Sequence, residues 1–238
     1  MTRTRRYVER AFHGQSDTGK IFGQRVIEEM SFERCYFQGE ALSLVNRPEK
    51  RTIVRNVVLE DCKAVGCTLY SAILDTIRVR NLKMDQSLQV WAAAFRHVKL
   101  EGRMPSLMVS PYFDAMLMGT PRQRAFEEAN RAFYGAVDWA LDITEAEFPD
   151  VELRGIPARL VRADPDISAI VTREKAQASD VWRDEGIELE LRIGIDRMLE
   201  VCDDVVLVAA TGHPRYGRLR DGLKRLLDVG IAEPVASP

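Results

Sequence analysis

The sequence is poor in the residues that carry most enzyme chemistry. Its 238 residues include only three histidines and four cysteines. His13, His97 and His213 fall in unrelated segments, and neither a Gly-x-Ser-x-Gly motif nor a histidine pair occurs. An ordinary hydrolase or metalloenzyme is therefore disfavoured, and we expect no catalytic residue, metal or cofactor.

Long hydrophobic runs and a strong net charge are also lacking. No run is long enough to span a bilayer, and the basic N-terminal tip has no apolar segment of the kind found in signal peptides. The 34 basic and 36 acidic residues give a net charge of −2, which provides no general field to attract nucleic acid. We therefore expect a cytoplasmic protein without a membrane or nucleic-acid partner.

The spacing of the cysteines matches neither a zinc site nor a thioredoxin motif. Two of them, Cys62 and Cys67, occupy apolar places in the repeating pattern described next. We expect the cysteines to act as small buried hydrophobic residues rather than as disulfide partners or ligands.

The run from Asn56 to Asp85 has apolar residues at two places of every five. Its six units read NVVLE, DCKAV, GCTLY, SAILD, TIRVR and NLKMD. The second places hold Val57, Cys62, Cys67, Ala72, Ile77 and Leu82, and the fourth places hold Leu59, Ala64, Leu69, Leu74, Val79 and Met84. A period of five fits neither a helix nor a plain strand, and it favours a solenoid of short stacked sides.

This spacing resembles that of pentapeptide-repeat proteins, whose right-handed quadrilateral β-helix places a small and a large apolar residue of each unit inside. The resemblance implies a degenerate β-helix with a non-catalytic binding role. Ordinary short strands whose lengths happen to give fives are the alternative. The middle places depart from the family's Asp or Asn, and they hold Val58, Lys63, Thr68, Ile73, Arg78 and Lys83.

Some members of that family protect DNA gyrase by imitating the charge of duplex DNA. The repeat run is neutral here, so we do not expect such mimicry. Its acids Glu60, Asp61, Asp75 and Asp85 are balanced by Lys63, Arg78, Arg80 and Lys83.

The predicted fold class is α+β, with a short right-handed parallel β-helix of about three to four coils followed by a small α/β region. Residues 1–118 are assigned to the β-helix and its N-terminal cap, 119–136 to a connecting helix, and 137–238 to the α/β region. Residues 143–163 repeat the same apolar places, and they either complete the β-helix or form a hairpin of plain strands.

Helix signals are clear in the second half. Thr120 is predicted as an N-cap with Pro121 at the first helical position and Gly135 as the stop, and Ala125, Phe126, Ala129 and Phe133 form an apolar stripe. A helix from Glu188 to Cys202, a buried strand from Asp204 to Ala210 and a helix from about Arg215 follow.

The loop from Thr211 to Gly217 is the best candidate for a ligand site. It joins the carboxyl end of the buried strand to a helix start, a place where α/β proteins bind anions. The candidate anion-binding residues are Thr211, Gly212, His213 and Arg215. The loop lacks the spacing of a P-loop or a dinucleotide motif, and a plain surface turn is the commoner role.

A group of acids precedes this region in the chain. Asp142, Glu145, Glu147 and Asp150 suggest paired carboxylates, although four acids in a polar loop are more often a solvated surface. Asp203 and Asp204 precede the buried strand, and we interpret them as a strand-entry turn.

The favoured function is a non-catalytic bacterial protein-interaction protein, with a protective or immunity-like role suggested by fold analogy. The alternative is a small-ligand enzyme or sensor that binds an anion at the Thr211–Gly217 loop. The expected partner is another protein. A homodimer is also favoured, because an uncovered end presents unpaired backbone groups.

Overall fold

The computed structural model describes residues 4–13, 25–39, 41–112 and 119–235. The strands in these ranges are β1 (Arg5–Val8), β2 (Ala11–His13), β3 (Val26–Glu33), β4 (Tyr36–Gln38), β5 (Ala41–Leu42), β6 (Ile53–Glu60), β7 (Lys63–Val65), β8 (Thr68–Tyr70), β9 (Ile73–Arg80), β10 (Lys83–Met84), β11 (Leu88–Trp91), β12 (Ala94–Arg103), β13 (Leu107–Ser110), β14 (Leu141–Glu147), β15 (Val151–Leu153), β16 (Val161–Arg162), β17 (Ser168–Thr172), β18 (Asp204–Val208) and β19 (Ala232–Pro234). The helices are α1 (Pro121–Tyr134), α2 (Arg173–Ala178), α3 (Leu189–Val201) and α4 (Tyr216–Asp228).

These strands form three sheets. Sheet A has seven parallel strands in the order β1-β3-β6-β9-β12-β14-β16, and sheet B has four in the order β10-β7-β4-β2. Sheet C has eight strands in the order β19-β17-β18-β15-β13-β11-β8-β5. Its pairs from β5 to β15 are parallel, and those among β15, β18, β17 and β19 are antiparallel.

The predicted fold class, a short β-helix followed by a small α/β region, is wrong. The chain has a mixed α/β fold with large parallel sheets, one of seven strands and another of eight. Strands such as β9 and β12 are eight and ten residues long, so they extend beyond a five-residue unit. Sheet C also continues into the last third of the chain, where Leu153 of β15 pairs with Val206 of β18.

The inward direction of the apolar places is confirmed in most units. Val57, Cys62, Ala72, Ile77 and Leu82 are buried, whereas Cys67 is half-buried. The backbone also turns every five residues through a left-handed conformation, with positive φ at Asn56, Asp61, Gly66, Ser71, Thr76 and Asn81. Most of these residues are not glycine, so the surrounding sheets hold them in a conformation that L-residues rarely adopt.

Residues 143–163 continue the parallel sheets and do not form the hairpin that was the alternative. β14 lies beside β12 in sheet A, while β15 lies beside β13 in sheet C. β16 then returns to sheet A beside β14.

The last third of the chain builds a second core on sheet C. The predicted helices and strand appear as α3, β18 and α4, and β17 supplies the antiparallel partner of β18. Thr172 caps α2 by accepting a hydrogen bond from the backbone N–H of Lys175 at 3.4 Å. Fully buried residues of this core include Trp182, Ile195, Met198 and Leu226. No helix within the described ranges is long and apolar enough to cross a membrane.

Helix α1 begins and ends as predicted. The Thr120 hydroxyl accepts a hydrogen bond from the backbone N–H of Gln123 at 3.3 Å, Pro121 is the first residue, and Gly135 follows the last turn. The buried face differs from the predicted stripe, because only Phe126 of that stripe is buried. The face consists of Gln123, Phe126, Asn130 and Tyr134.

A buried arginine fastens α1 to the sheets. Arg51 is only 2% exposed and donates hydrogen bonds to Asn130 Oδ1 at 2.7 Å and to the carbonyl oxygens of Ala92 and Phe126, both at 3.4 Å. Its guanidinium lies 4.9 Å from the centre of the Phe126 ring. Burial lowers the pKa of Arg51 to about 10, since the charged form has lost most of its hydration.

Substitutions at Asn130 test this attachment. Asn130→Leu removes the shortest hydrogen bond of a buried cation, and we expect it to lower the free energy of unfolding by about 2 kcal/mol. Asn130→Asp keeps an acceptor and adds a counter-charge, so its loss should be clearly smaller. Urea denaturation of both variants measures the difference, and equal losses would show that the Arg51 contact does not stabilise α1.

Candidate functional site

The structure places the Thr211–Gly217 loop against the turn between β14 and β15. The backbone N–H of Gly212 donates to the carbonyl oxygen of Phe148 at 2.9 Å. A Cβ atom at Gly212 would lie 2.8 Å from that oxygen, so this close approach requires glycine. The loop is thus tied to the segment that carries the predicted acidic cluster.

Backbone groups of the loop are largely used within it. The N–H of His213 donates to Ala210 O at 3.0 Å, and that of Tyr216 donates to His213 O at 3.0 Å. The N–H of Arg215 donates to the Nδ1 atom of His213 at 3.1 Å. These bonds remove donors that an anion at the start of α4 would need.

The Arg215 side chain already has carboxylate partners. Its guanidinium contacts Glu190 and lies 3.4 Å from an oxygen of Glu188, and both acids stand at the start of α3. A bound anion would have to compete with these two charges. The predicted anion site stays a prediction with little support from the contacts of its residues.

The predicted acidic cluster is spread along β14 and the turn that follows it. Asp142 is buried and its Oδ1 atom accepts hydrogen bonds from the N–H and hydroxyl of Thr144, at 3.0 and 2.6 Å. Glu145 forms an ion pair with Lys99 at 2.8 Å, and Glu147 is exposed. The Oδ1 atom of Asp150 accepts from the N–H of Val151 at 2.9 Å.

One residue of the predicted acidic cluster and one ion-pair partner of the predicted anion loop line the same cavity. This cavity, of about 220 Å³, lies between β15, β18 and α3, and its wall includes Asp150 and the Arg215 partner Glu190. Arg197 also lines it and is paired with Glu152 at 2.8 Å. The remaining predicted site residues do not line it. Within the described ranges no group of three or more His, Cys, Asp or Glu side chains is arranged to hold a metal ion.

A larger cavity of about 240 Å³, here named the α1 cavity, was missed from the sequence. It lies between α1, the turn before Ala158 and the connection from α3 to β18. Its wall includes Glu127, Asn130, Tyr134, Cys202 and Asp204. The complete wall also includes Pro111 and the segment 155–157, so it combines four separate parts of the chain whose spacing gives no motif.

Burial changes the acid–base properties of the α1 cavity. Burial raises the pKa of Asp204, and the neighbouring carboxylate of Asp203 raises it further. The Oδ1 atom of Asp204 accepts a hydrogen bond from the N–H of Ala158 at 3.0 Å. Burial also raises the pKa of the Cys202 thiol to about 11, which makes it a poor nucleophile near neutral pH.

The strand edges at the N-terminal end form a third candidate surface. β1 pairs with β3 on one side, and β2 pairs with β4. No described residue pairs with the other side of either strand. We name the free side of β1 the β1 edge. An unpaired edge presents backbone donors and acceptors to any extended chain that approaches it.

Aromatic rings from the four strands β1 to β4 form a cluster beside the β1 edge. Tyr7 stacks on Phe32 with ring centres 5.1 Å apart, and Phe12 stacks on Phe37 at 5.2 Å. Tyr7 and Phe12 meet edge to face at 5.7 Å. These ring contacts pack β1 and β2 against β3 and β4, so the β1 edge belongs to a well-packed part of the protein.

The β1 edge carries positive charge. Between Arg5 and His13 the chain has Arg5, Arg6 and Arg10 against Glu9, which is three positive charges and one negative, or +2. Arg6 forms an ion pair with Glu33 at 2.5 Å but its side chain is 69% exposed. The Arg10 guanidinium lies 5.7 Å from the Tyr7 ring.

No protein-family model, curated protein or solved structure matches the chain. The resemblance to pentapeptide-repeat proteins therefore gains no support from these comparisons.

A pH titration of stability tests the environment of Asp204. Because its folded-state pKa is raised above the ordinary value of 3.8, the folded protein keeps this proton to higher pH than the unfolded chain does. The contribution of Asp204 to the free energy of unfolding is fully present at pH values below 3.8, and it is lost as the pH rises through the folded-state pKa. At pH values above the folded-state pKa we expect Asp204→Asn to have a higher free energy of unfolding than the wild type. At pH values below 3.8 we expect no such gain.

The matched control is Asp221→Asn, because Asp221 is exposed on α4 and does not line the α1 cavity. Its stability relative to the wild type should vary little with pH across the same window. Urea denaturation at several pH values between 3 and 8 measures both variants. A parallel pH dependence for the two would contradict the assignment.

Proposed function

We propose that this protein is a non-catalytic protein-interaction protein, and that its β1 edge receives an extended, acidic segment of another protein. The observation that carries the proposal is the β1 edge of sheet A, which pairs with no other described strand and has a surplus of positive charge. A partner strand added to this edge would form main-chain hydrogen bonds with β1. Carboxylates on that strand would meet Arg5 and Arg10.

The charge on the edge favours an acidic partner over a second copy of the chain. Two copies that met edge to edge would bring Arg5, Arg6 and Arg10 close to the same residues of the partner, which is unfavourable for like charges. A homodimer through this edge is therefore the less favoured form of the interaction.

The outer face of sheet A is a poorer docking surface. Its charges are paired along the sheet, as between Arg55 and Glu28 or between Arg96 and Asp75. The hydrogen bond from Arg96 holds the pKa of Asp75 below its ordinary value. A partner would have to replace these pairs, whereas the backbone groups on the β1 edge pair with no described strand.

The alternative function, a small-ligand enzyme or sensor at the Thr211–Gly217 loop, has less support. Arg215 already contacts Glu188 and Glu190, and loop amides are used in turns. A cytoplasmic location is part of the proposal, and four cysteines that form no disulfide with one another are in keeping with a reducing compartment.

A displayed library of random ten-residue peptides tests the proposal. We expect the wild-type protein to retain peptides rich in Asp and Glu with β-branched residues between them, because such peptides form strands and complement the edge. The variant Arg5→Glu/Arg10→Glu should lose these peptides. Its matched control is Lys63→Glu/Lys83→Glu, which makes the same change of charge on exposed positions of sheet B.

Two outcomes would overturn the proposal. One is the absence of any enriched peptide class, and the other is enrichment that both double variants reduce equally. Light scattering at increasing protein concentration is measured in parallel. A dimer that Arg5→Glu/Arg10→Glu alters would identify a second copy as the occupant and would replace the acidic segment.

A further inference from the structure

An apolar cavity of about 170 Å³, here named the inner cavity, lies among the inward side chains of the three sheets. Its wall is built from β4, β6, β7, β8, β10 and β11, together with Leu42 and the turns between these strands. The wall includes Phe37, Leu59, Ala64, Cys67, Leu69 and Met84. The wall exposes no polar atom to the cavity.

The sequence explains why this space is unfilled. Ala64 lies in register between Phe37 and Met84 on the inner face of sheet B, at a place where the units before and after have Leu59 and Leu69. Cys67 likewise brings a small side chain to an inward place. Two small residues close together leave a volume that rigid parallel strands cannot close by collapsing.

The cavity communicates with the surroundings of the protein. Phe37, Leu69 and Met84 point inward but are only half-buried, whereas their in-register neighbour Ala64 is buried. The inner cavity is partly open rather than fully enclosed, so a small molecule can reach its wall. A water molecule gains little there, because it needs two or more polar partners to be held.

We propose that the inner cavity is a binding site for an uncharged aromatic molecule of about one six-membered ring. An apolar protein cavity of about 150 Å³ is known to stay dry and to bind benzene, so the volume is suitable. The Met84 thioether, the Cys67 thiol and the Phe37 ring on the wall favour an aromatic ring over an alkyl chain, because sulfur and ring edges interact well with aromatic faces. No residue of β1 lines the site.

Benzene is the probe for this site. In the wild type we expect a saturable rise of the thermal midpoint with benzene concentration, since a ligand that binds the folded state stabilises it. Ala64→Leu fills the cavity and should abolish the rise. Ala132→Leu, at an exposed position of α1, makes the same change of side chain outside the cavity and should leave the rise intact.

A second measurement does not depend on the folding of a variant. Cys67 lines the inner cavity, whereas Cys202 lines the α1 cavity. The rate at which methyl methanethiosulfonate modifies each thiol is followed by mass spectrometry of the separated peptides. Benzene at ten times its dissociation constant should slow the modification of Cys67 about tenfold and leave that of Cys202 unchanged.

The outcomes separate cleanly. Protection of Cys67 together with loss of the thermal shift in Ala64→Leu supports the site. An unchanged Cys67 rate, or a thermal shift that persists in Ala64→Leu, places benzene elsewhere and overturns it. Failure of the peptide-library test would leave this result unaffected, because the β1 edge takes no part in the inner cavity.

Discussion

The stacking of inward side chains on sheet A is the constraint on which the rest of the structure depends. Parallel register places one apolar residue on the next through Met30, Val57, Ile77, Val98, Leu141 and Val161. Each strand is thereby fixed against slipping, since a shift of one residue would turn its apolar set outward. The same register puts Arg5 over Met30 at the N-terminal end, where the apolar column stops and the basic β1 edge begins.

The second half of the chain is joined to this stack at two places. The pairing of Leu153 with Val206 carries sheet C from its parallel part into its antiparallel part. Arg51, which is buried beneath α1, ties that helix to the carbonyl oxygen of Ala92. A buried cation without a carboxylate partner depends on the hydrogen bonds that its two terminal nitrogens donate, and these bonds fix the position of α1 on the sheets. The α1 cavity exists because α1 is held there.

The surfaces left free by this packing limit what the protein can do. Paired charges cover the outer face of sheet A, and the predicted anion loop is tied to Phe148 and to two glutamates. Backbone groups on the outer side of β1 pair with no described strand, and the inner cavity is an apolar space that stays unfilled. Both features follow from the stacking of inward side chains. The β1 edge is where the stack ends, and the inner cavity is where the small residues Ala64 and Cys67 lie.

The sequence by itself determined the features that depend on local spacing. It predicted the inward places of the five-residue units, the capped start of α1 at Thr120 and the order α3, β18, α4, because periodicity and capping are properties of neighbouring residues. Only the tertiary structure decided the fold class, since the number of strands in a sheet depends on which distant segments pair, as Leu153 and Val206 do. It also decided the site: Glu127, Tyr134, Cys202 and Asp204 meet around one cavity only after folding, and the predicted acids from Asp142 to Asp150 do not converge.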